Sequence, residues 1–325
     1  MNNNVLLGAF LCLISAISWG AMFPVANHAF HYIDPFYFTI FRYGSVTIIL
    51  IVWLLWKEGR QAFHLEGKGW VLWFFGTMAF AIYNVLIFWG QDLLGNPGTM
   101  VASIMESLMP MISIVIVWVL VRQRPHVFTL FCVFIGFIGA SLVVTKGDFG
   151  TFFSATNEIV PSLLILIAVT GWVIYTMGGD QFHKDGWSAL RYSTLSCLLG
   201  TTTAAILVLS ATLSGYVTFP SVQTMIITSP HIAFMVIFPG VIALVGWNYG
   251  VSVITPLNGL LFLNLVPVTT LVIQIFQGTG VTIYDIIGTI FIIVSLLSNN
   301  IFLRLQQRRT EPKEKHKERL QEVVS

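Results

Sequence analysis

The residues best able to do chemistry in this chain are two opposite charges inside apolar sequence. Glu106 interrupts the run 98–121 in the stretch SIMESLMP (103–110), and Arg42 lies in another run, 35–56. Only 9% of the 325 residues are charged, whereas soluble domains carry about 25%. A carboxylate in apolar surroundings can hold a proton, bind an ammonium group or pair with an arginine. The choice depends on the solvent around these runs.

The composition predicts a polytopic helical membrane protein, all-α in class. Hydrophobic residues make up 56% of the chain and the mean hydropathy is +0.84. The apolar residues form blocks of about 18 or more, as membrane-spanning helices require. The first block is too long for the apolar region of a signal peptide, about 7–15 residues, and we expect it to remain as the first span. We predict ten spans, at roughly 5–27, 35–56, 70–90, 98–121, 127–145, 159–179, 187–213, 231–252, 256–276 and 284–303.

The basic residues between the spans predict the orientation. Connections on the cytoplasmic side of a membrane retain Lys and Arg. With the amino terminus inside, the cytoplasmic connections hold six basic residues and the tail 304–325 holds seven, against Lys146 alone on the other side. We therefore expect a plasma-membrane protein with both termini in the cytoplasm and a solvated, charged tail. The six are Lys57, Arg60, Lys68, Arg122, Arg124 and Lys184.

An internal repeat relates residues 1–150 (spans 1–5) to residues 151–303 (spans 6–10). Matching features recur in the same order at offsets of about 149 to 160 residues. Five spans per repeat is an odd number, so the second copy must enter the membrane from the opposite side. Such inverted repeats are typical of secondary transporters with a site between the halves. The matches are Trp19-Gly20 with Gly171-Trp172, Arg42 with Arg191, 89–98 with 249–259, Pro110 with Pro267, and Gly139 with Gly288.

The motifs within this layout resemble those of the drug/metabolite transporter superfamily, in its EamA-type branch. The resemblance lies in SWG (18–20), PFYFTIFR (35–42) and the proline-centred spans 4 and 9. It implies a central cavity surrounded by spans 1–4 and 6–9, with spans 5 and 10 at the periphery. Three further stretches are similar to amino-acid exporters and imply export of amino acids or related metabolites: YN (83–84), WVIY (172–175) and GWNYG (246–250).

Glu106 and Arg42 lie at similar predicted depths, about 12 Å and about 10 Å from the outer face at 1.5 Å per residue. They could pair as a structural latch, the role that the resemblance favours for Arg42. Alternatively, Glu106 is a cavity carboxylate that binds a substrate ammonium or carries a proton. The second-half counterpart FLNLVP offers only Asn264 near that level, which favours a functional role for Glu106. Arg191, near a span end, can extend to the interface.

The other candidate cavity residues are aromatic and amide side chains near these motifs, which could equally serve helix packing. Four prolines are candidate gating hinges because each removes a helical hydrogen bond. Small residues such as Gly136, Gly139 and Gly288 allow close packing of spans 5 and 10, including in a homodimer. The cavity candidates are Trp19, Tyr83, Asn84, Trp172, Tyr175, Trp247, Asn248 and Asn264, and the hinge candidates are Pro24, Pro110, Pro239 and Pro267.

These patterns favour a secondary transporter over an enzyme. The seven His residues are scattered without metal-ligand spacing, and no nucleotide-phosphate loop occurs. Cys12, Cys132 and Cys197 predict neither a disulfide framework nor a metal site. We expect no cofactor and no nucleic-acid partner. The alternatives are multidrug or quaternary-cation efflux on the same fold, with Glu106 holding the cation, and a membrane-embedded enzyme.

Overall fold

The computed structural model is all-helical over the residues that it describes. These are 3–95, 97–122, 124, 126–145, 147, 159–278, 282–284, 286–295, 297–299, 301, 302 and 305. We number the helices as the ten predicted spans: α1 Asn3–Ala29, α2 Pro35–Glu58, α3 Gly69–Leu93, α4 Gly98–Val121, α5 Val127–Thr145, α6 Ile159–Lys184, α7 Ala189–Leu213, α8 Val222–Ile254, α9 Pro256–Phe276 and α10 Ile286–Asn299.

Eight of these helices are long and apolar enough to cross a bilayer, namely all except α5 and α10. The described parts of α5 and α10 contain the shorter apolar helices Val127–Gly139 and Ile286–Asn299. The predicted all-helical membrane fold is confirmed, whereas the count of ten spans stays a prediction. The largest difference concerns α8, which begins at Val222, nine residues before the predicted start, and continues through Pro230.

Helix starts follow ordinary capping chemistry. The Asp34 side chain accepts a hydrogen bond of 2.8 Å from the Phe36 amide and Pro35 takes the first helical position of α2. Ser188 caps α7 in the same way through the Arg191 amide at 2.9 Å. These caps fix where the two equivalent helices enter the bundle.

The equivalent helices α2 and α7 pack antiparallel along their whole length. Tyr37 at the start of α2 hydrogen-bonds Thr212 at the end of α7, with 2.7 Å between the hydroxyl oxygens. Thr47 bonds Thr201 in the middle at 3.3 Å, and Glu58 at the end of α2 accepts from Ser188 at 2.6 Å. Each repeat thus contributes the same helix in opposite direction, as an inverted repeat requires.

Two further helix contacts are related by the same inversion. The contact between α1 and α8 corresponds, in the other half, to the contact between α6 and α3. In the first pair, the Ser15 hydroxyl donates to the Ala243 carbonyl at 2.9 Å, and His28 contacts His231 at 2.8 Å. In the second pair, Gly90, Gly171 and Gly178 allow α3 and α6 to approach closely. The two halves therefore interlock through α1–α8 and α6–α3.

Both repeats carry a π-helical segment in their third helix. The segments are Thr77–Tyr83 in α3 and Val236–Ile242 in α8, and their starts differ by an offset within the range of the sequence repeat. A π-helical turn leaves backbone groups displaced from the regular ladder and is frequent at functional sites. Pro239 lies inside the second segment, whereas the first contains no proline.

Both repeats also interrupt their fourth helix. In α4 the first part ends at Glu106 and the second begins at Met109, and in α9 a 3₁₀ turn occupies Leu261–Asn264. Pro110 and Pro267 follow these interruptions by a few residues, and their role as gating hinges stays a prediction. Pro24, by contrast, lies inside the continuous helix α1.

One face of the bundle is held together by polar contacts between the connections 59–68 and 185–188. The Arg191 guanidinium does not simply extend to the interface: it donates to the Ala62 carbonyl at 2.8 Å and to Glu66 at 2.7 Å. It also stacks on Trp187, with 3.9 Å to the ring centre. Hydrogen bonds from Trp187 and Arg191 lower the pKa of the Glu66 carboxyl. Lys68 pairs with Asp185 at 2.7 Å on the same face.

Small residues let helices cross within the chain. A Cβ atom added to Gly76 of α3 would lie 2.2 Å from the Ser196 carbonyl oxygen of α7. A Cβ on Gly139 of α5 would lie 2.6 Å from the Gly288 oxygen of α10. The predicted close packing of α5 and α10 is therefore intramolecular, and a homodimer through these helices stays a prediction.

We expect Gly76→Ala to lower the thermal midpoint of the detergent-solubilised protein, because the added methyl group must push α3 away from α7. Overpacking of this kind costs about 1–3 kcal/mol. Gly44→Ala on α2 is the matched control, since an added Cβ there meets nothing within 4 Å. Equal midpoints for the two variants would contradict the α3–α7 crossing.

Candidate functional site

Five aromatic side chains predicted from the repeat motifs form one buried cluster between the halves. Trp19 of α1 packs edge-on against Trp172 and Trp247, with ring centres 5.0 and 5.1 Å apart. Tyr83 and Tyr175 extend the cluster from Trp172 at 5.1 and 5.3 Å. The repeat therefore led to residues that do meet, although they belong to four different helices.

Glu106 lies at the edge of this aromatic cluster. Its side chain is 1% exposed, and its Oε1 accepts a hydrogen bond from the Tyr83 hydroxyl. Its Oε2 has no hydrogen-bond partner among the described residues. The carboxyl thus ends the first part of α4 with one oxygen bound and one available.

Arg42 is equally buried but does not pair with Glu106. Its Nη1 donates to the Asn84 Oδ1 at 3.3 Å, and its guanidinium lies over the Tyr43 ring at 4.6 Å from the centre. Its Nε has no partner among the described residues. The ion pairs within the described part of the chain are Lys68–Asp185, Lys184–Asp180 and Arg191–Glu66, so a direct Arg42–Glu106 latch is not formed.

Tyr83 and Asn84 connect the two charges through consecutive positions of α3, the last residue of its π-helical segment and the first residue after it. The Asn84 side chain donates to the Ala79 carbonyl at 2.6 Å, which compensates a backbone group inside that segment. Trp19 does the same in the other repeat, donating to the Pro239 carbonyl at 3.1 Å. The two π-helical segments are thus stabilised by side chains from the candidate site.

Asn248 and Tyr175 belong to a second polar group on the other side of the cluster. The Asn248 Nδ2 donates to the Tyr175 hydroxyl at 2.8 Å and to the Ser193 hydroxyl at 2.7 Å. Trp247 donates to Thr176 at 3.3 Å. The sequence reasoning missed the polar row of α7 that completes this group, although its helical spacing was a usable signal: Ser193, Ser196, Cys197 and Thr201 are all buried.

Asn264 does not join the aromatic cluster. It is buried near α5 and α10, since a Cβ on Gly136 would lie 3.5 Å from its Nδ2 and 2.9 Å from the Ser295 hydroxyl. The Asn264 amide, which the repeat places near the level of Glu106, therefore lies on the α5–α10 side of the fold and not at the aromatic cluster.

A cleft of about 910 Å³ opens beside the cluster, towards the face that carries the connections 59–68 and 185–188. Charged and aromatic side chains line its mouth, and apolar side chains of α1 and α8 line its depth. None of the ten predicted cavity residues lines it, but Gly246 does, and it directly precedes Trp247 and Asn248. The mouth is formed by Lys57, Glu58, Asp180, His183, Lys184 and Trp187.

The described residues contain no group of three or more His, Cys, Asp or Glu side chains that could hold a metal ion. Cys12, Cys132 and Cys197 are free thiols in buried positions. The polar chemistry of the site consequently consists of one carboxyl, one guanidinium, amides, hydroxyls and aromatic rings.

The model of the EamA-like transporter family matches the chain twice, over residues 6–145 and 160–301. The chain belongs to the EamA-like transporter family. It is a multi-pass membrane protein of the drug/metabolite transporter superfamily, as its motifs predicted. Family membership thus places the protein among membrane transporters.

Two relatives from Bacillus subtilis (strain 168) bear transporter names. The chain is 50% identical over 299 residues to the uncharacterized transporter YrdR, covering 92% of each chain. It is 24% identical over 306 residues to the uncharacterized transporter YyaM, covering 94% of this chain and 97% of YyaM. One solved crystal structure shares the fold with a TM-score of 0.71 at 15% identity, covering 94% of this chain and 99% of the other.

We expect Asn84→Ala to destabilise the EamA-like protein, because it removes the side-chain hydrogen bond to the Ala79 carbonyl and the amide partner of Arg42. Loss of a buried hydrogen bond costs about 1–3 kcal/mol. The measurement is the thermal midpoint in detergent. Asn258→Ala is the control, since the Asn258 amide bonds only locally at the connection between α8 and α9, to the Ile254 carbonyl and the Thr255 hydroxyl. An equal or larger shift in the control would contradict the role of Asn84.

Proposed function

We propose that this EamA-like transporter is a secondary transporter that exports amino acids or related small polar metabolites by alternating access, with Glu106 as the proton-coupling carboxyl. One observation carries the proposal: Glu106 is buried at the interruption of α4, and no described residue provides a cationic partner or a hydrogen bond to its second oxygen. A carboxyl in this state can take up either a proton or a cationic group of a ligand.

An ionised Glu106 without a counter-charge would be energetically costly inside the membrane, and this cost favours coupling. An ionised carboxylate at the centre of a membrane helix costs about 2.5–3.5 kcal/mol on insertion scales. A proton removes that charge, and a bound ammonium group compensates it. The proton and the ammonium group would bind to the same Oε2 and therefore compete. Competition at one group is the simplest way to couple proton entry to substrate exit.

The surroundings of Glu106 favour a ligand with an ammonium group. The Tyr83 ring lies next to the carboxyl and packs against Trp172, and ring faces attract cations. Arg42, reached through Asn84, has a buried Nε that can donate to a ligand carboxylate. A zwitterion such as an amino acid would use both groups.

The moving parts of this proposal are the π-helical segments and the interrupted helices. They occur at equivalent positions in both repeats, and the two π-helical segments and the interruption of α4 adjoin the candidate site. Repacking of α3 and α8 would connect the site to the cleft through Gly246. We place the cleft on the cytoplasmic side, together with both termini, in the plasma membrane, because the basic connections belong to that face.

Efflux of quaternary or lipophilic cations is a second candidate function. It is favoured by the concentration of three tryptophan and two tyrosine rings beside one carboxyl. Such cations would use Glu106 and the rings without Arg42. The two functions therefore differ in whether the ligand needs a carboxylate.

We expect Glu106→Gln to abolish pH-gradient-driven uptake of amino acids into proteoliposomes, a loss of at least about tenfold, while substrate counterflow continues. Glutamine preserves the acceptor for Tyr83 but cannot carry the proton. Asp92→Asn makes the same chemical change at an exposed position and serves as control. Gradient-driven uptake by Glu106→Gln at the wild-type rate would contradict the coupling role.

A thermal-shift screen of the purified wild-type protein tests the substrate class. We expect amino acids with free amino and carboxyl groups to raise the midpoint, because they engage both Glu106 and Arg42. Their N-acetylated derivatives and their methyl esters, which each lack one charge, should bind more weakly. Stabilisation by quaternary amines alone would support the efflux function, and stabilisation only by uncharged sugars would contradict both.

A further inference from the structure

A polar layer lies inside the junction of α4, α5, α9 and α10, away from the aromatic cluster. Ser107, Asn264 and Ser295 are each at most 2% exposed there. A Cβ on Gly136 would meet both the Ser295 hydroxyl and the Asn264 amide, so these two groups face the same space beside α5. Ser107 directly follows Glu106 at the interruption of α4, so the layer includes the residue next to the candidate coupling carboxyl.

Apolar clusters above and below define this layer. On one side Ile104, Leu271 and Ile292 pack together, and on the other side Ile114, Val133 and Leu261 do. Ser107 shares a helix face with Ile104 and Ile114, as does Ser295 with Ile292. The polar groups therefore lie between these two apolar clusters, at the crossing of α4 and α9.

Several polar atoms here have no hydrogen-bond partner among the described residues. They are the Ser107 Oγ, the Asn264 Oδ1 and both side-chain polar atoms of Asn299. Asn299 is fully buried and lies one helical turn beyond Ser295 on the same face of α10. Buried amides and hydroxyls are normally paired with protein or with ordered water, so four such atoms in one row indicate internal hydration.

The row leads from Glu106 towards the face that carries the amino-terminal end of α5. Ser295 donates to the Cys132 carbonyl of α5, and Asn299 lies about 6 Å further along α10 by helical rise. Phe302 then packs against Phe128 and the exposed His126, with ring centres 4.7 and 4.5 Å apart. The row thus runs from the Glu106 carboxyl at its buried end, past the Cys132 thiol, to the exposed His126 imidazole.

We propose that Ser107, Asn264, Ser295 and Asn299 hold a chain of water molecules that carries protons between Glu106 and the face at the start of α5, separately from the substrate cleft. The inference rests on the proposed coupling role of Glu106. A water site needs two to four polar partners, which these four side chains supply. A proton that enters the chain displaces one along it, and the last water protonates the Glu106 Oε2; release reverses the sequence.

Asn299→Leu tests the path, because leucine has a similar size but removes both polar atoms. In proteoliposomes we expect at least about a tenfold loss of pH-gradient-driven uptake, with substrate counterflow within about twofold of wild type. Asn299→Ser, which keeps a hydroxyl and leaves room for water, should retain the gradient-driven rate. Thr228→Val, which removes a buried hydroxyl that bonds only within its own helix, is the control and should behave as wild type.

The outcomes separate this inference from the proposed function. If wild type is driven by a pH gradient and Asn299→Leu is driven equally well, the water path is overturned while Glu106 coupling stands. If wild type shows no gradient-driven uptake, the proposed coupling role of Glu106 is contradicted, and the water path that depends on it is contradicted as well.

A second measurement keeps the inference testable should Asn299→Leu fail to fold. X-ray radiolysis generates hydroxyl radicals from bound water and oxidises neighbouring side chains, which mass spectrometry detects in the wild-type protein. We expect oxidation at Cys132, beside the row, and less at Cys197, which is buried between Thr47 and Thr201. Equal protection of both thiols would overturn a hydrated path.

Discussion

A polar group in the interior of a membrane protein must find its partner within the protein, since the surrounding hydrocarbon supplies none. Most of this structure can be understood from that constraint. Asn84 pairs with both a displaced backbone carbonyl and Arg42, and Trp19 pairs with the Pro239 carbonyl. Asn248 bonds two hydroxyls at once. The few groups left without a partner are therefore the informative ones, and Glu106 is among them.

The two repeats have equivalent helices, but their polar side chains differ at and around the candidate site. Equivalent helices pair in opposite directions, and π-helical segments and helix interruptions occur in both halves. Yet Arg42 is buried beneath rings whereas Arg191 holds surface connections together. The asymmetry also separates Glu106, which meets the aromatic cluster, from Asn264, which faces α5 and α10. A shared fold thus carries two different polar sites.

The fold and the aromatic site could be predicted from the sequence because both depend on patterns along the chain. Apolar blocks define helices, and the paired motifs around Trp19 and Trp172 identify rings that must face the partner half. The π-helical segment Thr77–Tyr83 could not be predicted, because TMAFAIY contains no proline or glycine and the segment is stabilised by the distant packing of α6 and α7. The partners of Arg42 and Glu106 were equally inaccessible, since equal depth does not tell which side chain lies between them.

What lies between them explains why opposite charges at similar depth stay apart. A direct ion pair would satisfy Arg42 and Glu106 mutually and leave little affinity for anything else, because buried pairs compensate their own desolvation. Tyr83 and Asn84 instead hold each charge by a hydrogen bond to a neutral group. Hydrogen bonds to these neutral groups fix the positions of the Glu106 and Arg42 side chains but do not compensate their charges. On the proposed function, this arrangement leaves Glu106 and Arg42 able to bind a proton or a charged ligand.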